Sequence, residues 1–302
     1  MVVDLAGVRA AAKRIDGRIR RTPVLAAGPD LWFKLEFTQH AGSFKTRGMI
    51  NRILSGPVSG AGVIAASGGN AGLAAAYAAR ELGHSAEVFV PVTAPAVKVA
   101  KLGKLGARVV QEGREYAEAY AAAVVRASET GALFCHAYDD PEMIAGNGTL
   151  GLELQSELSF DTVLVAVGGG GLLGGIIAGL SRDVRIVGVE PVGSCALWAA
   201  LDAGEPVDVP VSGVAADSLG ARRIGDIGFE LARAAKVDSV LVEDGAIVEA
   251  RRRLWDEHRL VVEHGTATAH AALLTGAYRP EPGERVVVLL CGANTDPADL
   301  AT

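Results

Sequence analysis

The sequence predicts an α/β protein built from parallel sheets with crossover helices. Short apolar runs of strand character alternate with helical segments along most of the 302 residues, and alternation at such short spacing is typical of βαβ units. Half of the residues are hydrophobic, 38 are glycine and only 5% are aromatic, which suits close-packed helices joined to strands by many tight turns. A chain of this length forms one large or two ordinary domains.

The first half of the chain contains five predicted strand and helix pairs. Apolar periodicity defines them, and breakers such as Ser55-Gly56-Pro57 place their ends. An extended stretch at 21–25 contains Pro23. The predicted helices lie near 4–20, 46–56, 70–82, 95–105 and 115–129, and the predicted strands at 31–36, 63–66, 86–92, 107–111 and 133–137.

The second half continues the alternation. Asp139-Asp140-Pro141 opens a helix that we expect Gly146-Asn147-Gly148-Thr149 to interrupt. A buried strand follows at 161–167 and runs into four consecutive glycines. The remaining predicted strands lie at 185–190, 239–243 and 285–290, and the helices at 172–180, 194–203, 228–234, 246–259 and 264–276.

Composition excludes several classes of function. The net charge is −6 with no basic block, so we expect no nucleic-acid partner. No apolar run approaches the roughly 20 residues that span a bilayer, and no signal peptide precedes the first helix, so no membrane association is expected. Cys135, Cys195 and Cys291 are too few and too scattered for a disulfide framework or a metal site. The expected location is the cytoplasm.

The segment Gly42-Ser43-Phe44-Lys45-Thr46-Arg47-Gly48 places a lysine beside an aromatic ring. A lysine amine is a nucleophile only when deprotonated, and apolar surroundings lower its pKa. We therefore hypothesise that Lys45 holds pyridoxal phosphate as a Schiff base. The alternative is a solvated lysine at the start of a helix.

A glycine turn, Ser67-Gly68-Gly69-Asn70, joins the strand at 63–66 to the following helix. Its glycines allow backbone amides to approach a ligand, and amides at a helix N-terminus bind anions such as a carboxylate. Asn70 is also a good N-cap residue, so helix capping is the alternative for that side chain.

A second glycine turn, Gly168 to Gly171, lies between a buried strand and an apolar helix. This arrangement predicts a phosphate cradle. The pattern Gly169-x-Gly171-x-x-Gly174, with Glu190 21 positions after Gly169, also satisfies a dinucleotide fingerprint. An NAD-dependent dehydrogenase is therefore an alternative. It leaves Lys45 and the first glycine turn without a function, and the fingerprint usually occupies the first βαβ unit.

Four segments, GSFKTRG, SGGNAG, VGGGGLLGG and LLCGAN, occur in this order. Together they resemble the signature segments of the fold-type II pyridoxal-phosphate enzymes, and most closely those of the serine/threonine dehydratases (ammonia-lyases). The resemblance covers residues 15–296. It implies two open parallel-sheet αβα domains, as in the tryptophan synthase β fold, with the cofactor between them. The large domain would comprise residues 1–39 and 139–302 and the small domain residues 40–138, in a homodimer.

The resemblance also assigns site residues. Lys45 corresponds to the Schiff-base lysine, and Phe44 to the residue that packs on the cofactor ring. Asn70 resembles the asparagine that hydrogen-bonds the ring hydroxyl, and Cys291 stands at the position of a neutral partner for the pyridine nitrogen. The substrate carboxylate is assigned to Ser67, Gly68 and Gly69, and the phosphate to Gly168, Gly169, Gly170, Gly171 and Leu172.

The cation site of the family is only partly matched, so whether a metal binds is left open. Glu190 fits a monovalent ion together with carbonyls near Ser194, Leu219 and Ala221. Ala196 stands where relatives with a divalent site carry an aspartate, which argues against magnesium. The usual glycine-glutamine-glycine-threonine segment reads Gly146-Asn147-Gly148-Thr149 here.

The activity implied is β-elimination from L-threonine or L-serine, giving 2-oxobutanoate or pyruvate and ammonia, with Lys45 as the general base at Cα. Racemase and β-replacement activities remain alternatives within the fold. Racemases carry a serine at the position of Gly68, and glycine has no proton to donate. The chain ends soon after Cys291, so we expect no C-terminal regulatory domain and no feedback inhibition.

Overall fold

The computed structural model describes residues 3–181 and 183–300. Ten strands form two sheets, as the alternation of apolar runs predicts. The strands are β1 (Val24–Gly28), β2 (Leu31–Lys34), β3 (Val63–Ala66), β4 (Ala86–Val90), β5 (Arg108–Gln111), β6 (Leu133–Phe134), β7 (Thr162–Ala166), β8 (Arg185–Pro191), β9 (Asp238–Val242) and β10 (Val286–Leu289).

Twelve helices are described, and most of them connect parallel strands. The helices are α1 (Leu5–Ile15), α2 (Lys45–Leu54), α3 (Asn70–Glu81), α4 (Ala96–Lys104), α5 (Tyr116–Thr130), α6 (Pro141–Glu157), α7 (Gly171–Gly179), α8 (Ala196–Ala203), α9 (Ala216–Leu219), α10 (Asp226–Ala235), α11 (Asp244–His258) and α12 (His264–Thr275).

The larger sheet has six strands in the order β1-β2-β10-β7-β8-β9, and the smaller sheet has four in the order β5-β4-β3-β6. All pairs are parallel except β1 with β2, which pair antiparallel at the edge. Every residue of β3, β7 and β10 is buried, as expected for central strands covered by helices on both faces. Sheet membership follows the predicted two-domain division, whose boundaries at 39/40 and 138/139 stay predictions.

Helix α6 is continuous, so the predicted interruption at 146–149 is wrong. Its two glycines serve close helix packing instead of breaking the helix. A Cβ on Gly146 would lie 2.7 Å from the Cα of Gly48 in α2, and one on Gly148 would lie 2.7 Å from the carbonyl oxygen of Gly175 in α7. Asn147 between them is fully buried, and its Nδ2 donates to the carbonyl of Gly171. Packing outweighs the helix propensity of glycine, which is about 1 kcal/mol per residue below that of alanine.

Several other boundaries differ from prediction. Helix α1 ends at Ile15 rather than near residue 20, and the four-residue helix α9 was not predicted. The strand predicted at 133–137 is only two residues long by its regular pairing, although the amide of Cys135 still donates to the carbonyl of Ile64. Residues 135–138 therefore leave the sheet as irregular backbone toward the larger sheet.

Four charged side chains form a buried ion cluster between β2, α2 and α6: Lys34, Glu36, Arg47 and Glu153. The guanidinium of Arg47 donates to both carboxylates, with Nε 2.6 Å from Glu36 and Nη2 2.8 Å from Glu153. The ammonium of Lys34 lies 2.7 Å from Glu153. Lys34 also lies 2.7 Å from the partly exposed Glu157, so each positive charge of the cluster meets two carboxylates.

Across the described ranges 3–181 and 183–300, no helix combines the length and the apolar character that crossing a bilayer requires.

Candidate active site

Lys45 is the first residue of α2, and its side chain points toward the segment that follows β6. Its Nζ donates to the carbonyl of Ala137 at 2.6 Å and lies 4.9 Å from the ring centroid of Phe44. Burial lowers the pKa of Lys45 to about 8, while the nearby Cys291 and Glu263 act in the opposite direction. With this pKa about a tenth of the amine is deprotonated at pH 7 and about half at pH 8, far more than for an ordinary lysine, and the deprotonated form is the one that a nucleophile or a base requires.

Backbone contacts fix the lysine segment to the end of β10. Ser43 forms an isolated bridge with Gly292, and the amide of Phe44 donates to the carbonyl of Cys291 at 3.0 Å. The amide of Ala293 in turn donates to the carbonyl of Gly42 at 3.0 Å. Two of the four signature segments, GSFKTRG and LLCGAN, are thus in direct contact although some 240 positions separate them.

Cys291 is buried two residues after the end of β10, and its Sγ lies 3.3 Å from the hydroxyl of Thr266. Burial raises the pKa of Cys291 to about 12, and the charge of Glu263 adds to the shift. The thiol is therefore neutral at physiological pH. This charge state is the one required of a neutral partner for a pyridine nitrogen.

The turn from Ser67 to Asn70 joins β3 to α3 at the carboxyl end of the smaller sheet. Gly69 is the N-cap and Asn70 the first helical residue, so the alternative role of Asn70, helix capping, is not the one it has here. The hydroxyl of Ser67 accepts from the amide of Gly69 at 3.2 Å. No described residue accepts from the amides of Gly68 and Asn70, which leaves two donors for an anion.

The turn from Gly168 to Leu172 joins β7 to α7 at the carboxyl end of the larger sheet. Gly170 has φ +84°, a conformation that favours glycine. A Cβ on Gly169 would lie 2.4 Å from the ring of Tyr138. Within the part of the chain that the structure describes, nothing accepts a hydrogen bond from the five amides of this turn.

These features fit a planar cofactor with a phosphate. A cradle of free amides and a helix N-terminus suits a phosphate dianion. A deprotonated lysine with an adjacent aromatic ring suits an aldehyde-bearing aromatic ring, and a neutral thiol suits an uncharged ring nitrogen. Residues 137 and 138 connect the two parts, since Ala137 accepts from Lys45 while Tyr138 packs on the glycine turn.

Two further residues lie in this site that the sequence did not assign. Glu263, which precedes α12, is 8% exposed and accepts from Nδ2 of Asn70 at 2.7 Å. Asn294 donates from Nδ2 to Oδ1 of Asn70 at 2.6 Å. Asn294 lies in the LLCGAN segment, so its place in a recognised motif could have identified it as a site residue. Glu263 follows an apolar pair before a helix, a pattern too common to identify it.

Glu190 does not face the glycine turn. Its carboxylate accepts from the amides of Leu197 and Trp198, each at 2.8 Å, at the start of α8. Burial raises the pKa of Glu190 to about 7, against the effect of these amides. Both oxygens are therefore engaged, which removes the ribose-binding acid that the dinucleotide alternative needs.

The cation ligands suggested by the resemblance are also partly engaged. The hydroxyl of Ser194 donates to the carbonyl of Leu219 at 2.7 Å. Among the residues described, no group of three or more His, Cys, Asp or Glu side chains is arranged to hold a metal ion.

Comparison with known proteins finds similar sequences and similar solved structures along nearly the whole chain. The chain is 38% identical to an L-threonine ammonia-lyase of Geobacter sulfurreducens, over 96% of this chain and 75% of that protein. Among solved structures, a threonine deaminase from T.th. has a TM-score of 0.89 and 34% identity, covering 97% of this chain and 99% of the other. Maize serine racemase has a TM-score of 0.93 and 29% identity, covering 100% and 96%.

The family model described as "Pyridoxal-phosphate dependent enzyme" matches residues 15–292, nearly the whole chain. That range includes the lysine segment, both glycine turns and Cys291. The chain therefore belongs to the family of pyridoxal-phosphate-dependent enzymes, with the two-sheet α/β fold of the fold-type II members.

Proposed function

We propose that this enzyme is an ammonia-lyase that dehydrates and deaminates L-threonine, L-serine or both. The products are 2-oxobutanoate or pyruvate and ammonia. One observation carries the proposal: the buried amine of Lys45, with its pKa lowered to about 8, lies where both glycine turns and Cys291 converge. Threonine ammonia-lyases and deaminases among the relatives support the substrate class.

The cofactor, when bound, supplies an electron sink for the bond broken at Cα of the substrate. In this proposal the amides of Gly168 to Leu172 hold its phosphate and Lys45 holds its aldehyde carbon. The ring of Phe44 would pack on the pyridine ring. The neutral thiol of Cys291 would be the partner of the ring nitrogen, and Asn70 would hydrogen-bond the ring hydroxyl.

The substrate carboxylate would bind at Ser67, Gly68 and Gly69, where two amides are free and the Ser67 hydroxyl is close. The carboxylate is then fixed at the N-terminus of α3, where the helix dipole favours negative charge. Once the substrate's amino group has taken its place on the cofactor, Nζ of Lys45 would be a free amine and would take the proton from Cα. In net terms the Cα proton and the β-hydroxyl leave together as one water, and a second water then releases ammonia to give the keto acid.

Gly68 favours elimination over racemisation. A racemase needs a proton donor on the face opposite the lysine, and glycine has none. The space at Gly68 is not closed, since a Cβ there would lie 3.6 Å from Val90 and 3.8 Å from Lys98, at ordinary contact distance. The missing donor is therefore a matter of residue identity rather than of steric exclusion. A β-replacement activity is disfavoured by the SGGNAG turn and Cys291.

The assembly and location belong to the same proposal. We infer that the enzyme is a homodimer. We also place it in the cytoplasm, a reducing compartment, which agrees with three cysteines that are all free. Light scattering of the purified enzyme measures the mass: a value near twice 31.0 kDa is expected. A single-chain mass at micromolar concentration would contradict the dimer.

The experiment that tests the function uses the purified protein. We expect a yellow protein that loses its colour on borohydride reduction, after which mass spectrometry places the modification on Lys45. The peptide that contains Lys98 is the internal control and should be unmodified. Keto-acid release is then measured across a panel of 3-hydroxy amino acids. Bound nicotinamide dinucleotide with unmodified Lys45 would contradict the proposal.

A further inference from the structure

The side-chain amide of Asn294 has a defined orientation. Its Nδ2 donates to the carbonyl of Ala41 at 2.8 Å and to Oδ1 of Asn70 at 2.6 Å. A primary amide has two hydrogens, so both are used. Rotating the amide by 180° would place its oxygen against two acceptors.

The orientation of Asn294 determines that of Asn70. Oδ1 of Asn70 must be the acceptor, because Asn294 presents a donor. Nδ2 of Asn70 then donates one hydrogen to Oε1 of Glu263 at 2.7 Å. Its second hydrogen has no acceptor among residues 3–181 and 183–300. One N–H of Asn70 is therefore left for a ligand.

Glu263 is held close to Asn70 by the backbone around it. Its amide donates to the carbonyl of Gly292 at 3.2 Å. A Cβ at Gly292 would lie 2.4 Å from Oε1 of Glu263 and 3.2 Å from Nδ2 of Asn70. Glycine at 292 is thus required for the carboxylate and the amide to meet. Asp217 of α9 and Lys45 of α2 are the charged groups near the carboxylate.

We propose that Glu263 is a positioning residue that, with Asn294, locks the amide of Asn70 so that one N–H faces the cofactor. If Asn70 rotated, its oxygen would face the carboxylate of Glu263 and its nitrogen would face the nitrogen of Asn294. The contact between the two nitrogens is unfavourable, and the contact between the two oxygens is unfavourable when the Glu263 carboxylate is ionised. Burial raises the pKa of Glu263 to about 7, so both contacts oppose the rotation above that pH. The inference rests on the proposed function, since the ligand of that N–H is the cofactor.

If Glu263 positions Asn70, the effect of replacing Glu263 should depend on the presence of Asn70. A double-mutant cycle measures this dependence. The variants are Glu263→Gln, Asn70→Ala and their combination, and the probe is pyridoxal phosphate titrated into protein stripped with hydroxylamine. Above the pKa of Glu263, which burial raises to about 7, we expect Glu263→Gln to weaken cofactor binding about tenfold when Asn70 is present, because a charge-assisted hydrogen bond is lost. In the Asn70→Ala background the same change should alter binding by less than about twofold.

Equal losses in both backgrounds would overturn the inference, since a merely structural role of Glu263 gives additive effects. Glu263→Asp provides a second variant that keeps the charge but withdraws it from Asn70, and it should show the same dependence on Asn70. Glu243→Gln, at an exposed residue, is the matched control and should bind cofactor normally. If the unmutated protein bound no cofactor, the proposed function would fail instead.

Discussion

Replacing Arg47 by methionine tests whether the buried ion cluster anchors the helix that carries Lys45. Arg47 is completely buried two residues after the lysine, and its guanidinium makes two contacts with Glu36 and one with Glu153. Burial opposes its charge, but these carboxylates outweigh burial and raise the pKa of Arg47 above its usual range. Methionine keeps the unbranched apolar stem of the side chain and removes the charged guanidinium.

The size of the destabilisation depends on which partners the two carboxylates keep after the substitution. Glu153 keeps Lys34 at 2.7 Å, whereas among the described residues Glu36 keeps only the hydroxyl of Thr22 at 2.8 Å. An uncompensated buried charge costs about 3–5 kcal/mol. With an unfolding entropy of about 2.1 cal/mol/K per residue over 302 residues, the melting temperature should fall by roughly 5–8 °C.

Thermal unfolding followed by circular dichroism measures this change. Arg253→Met is the matched control, because Arg253 pairs with Glu249 at 2.9 Å on an exposed helix face, where such pairs contribute about 0.3–0.5 kcal/mol. The double variant Arg47→Met/Glu36→Leu removes both charges and should recover most of the lost stability. If Arg47→Met were as stable as Arg253→Met, the cluster would not be the anchor argued here.

Three further predictions concern the chemistry of the site. The rate at which cofactor-free protein combines with pyridoxal phosphate should rise with pH with a midpoint near 8, because only the deprotonated amine of Lys45 reacts. Glu263→Gln should lower that midpoint, since the carboxylate raises the pKa, and a midpoint above about 10 would contradict the assigned environment. From L-serine, pyruvate should greatly exceed D-serine, and Gly68→Ser should increase the D-serine share; comparable rates in the unmutated enzyme would refute the dehydratase. Cys291→Ser should stay within about tenfold of full activity, as a hydroxyl is also a neutral partner; an inactive variant with normal cofactor affinity would remove Cys291 from that role.

Local patterns in the sequence predicted the parts of the site that local structure determines. A buried strand followed by glycines and an apolar helix places amides at the carboxyl end of a parallel strand, and both glycine turns lie there. The continuity of α6 was not predictable in this way. Gly146 and Gly148 lower helix propensity, and only the helices packed against them explain why glycine is needed.

Contacts between segments that are distant in the sequence could not be predicted from the spacing of residues in any motif. Asn70 is 193 positions from Glu263 and 224 from Asn294, and each was individually compatible with an ordinary role at a helix start or in a loop. Their partnership follows from tertiary packing of the turn after β3 against the segments before α12 and after β10. The same holds for Glu190, which satisfied a motif by its position in the sequence but has its carboxylate turned to α8.

These contacts determine which parts of the site are fixed to which sheet. Although α2 lies inside the predicted small domain, Arg47 bonds Glu36 and Glu153, which lie in segments predicted for the large domain. Lys45 is therefore anchored to the six-stranded sheet, together with Cys291. The turn from Ser67 to Asn70, in contrast, directly continues β3 of the four-stranded sheet.

Few polar side-chain contacts in the described chain tie that turn and its neighbour α4 to the larger sheet. They are the bonds of Asn70 to Glu263 and Asn294, and the partly exposed ion pair of Lys98 with Asp217. An exposed pair contributes little, so Asn70 is the principal polar attachment. Asn70, the residue proposed to meet the cofactor, is thus also the main polar link between this turn and the larger-sheet segments that carry Glu263 and Asn294.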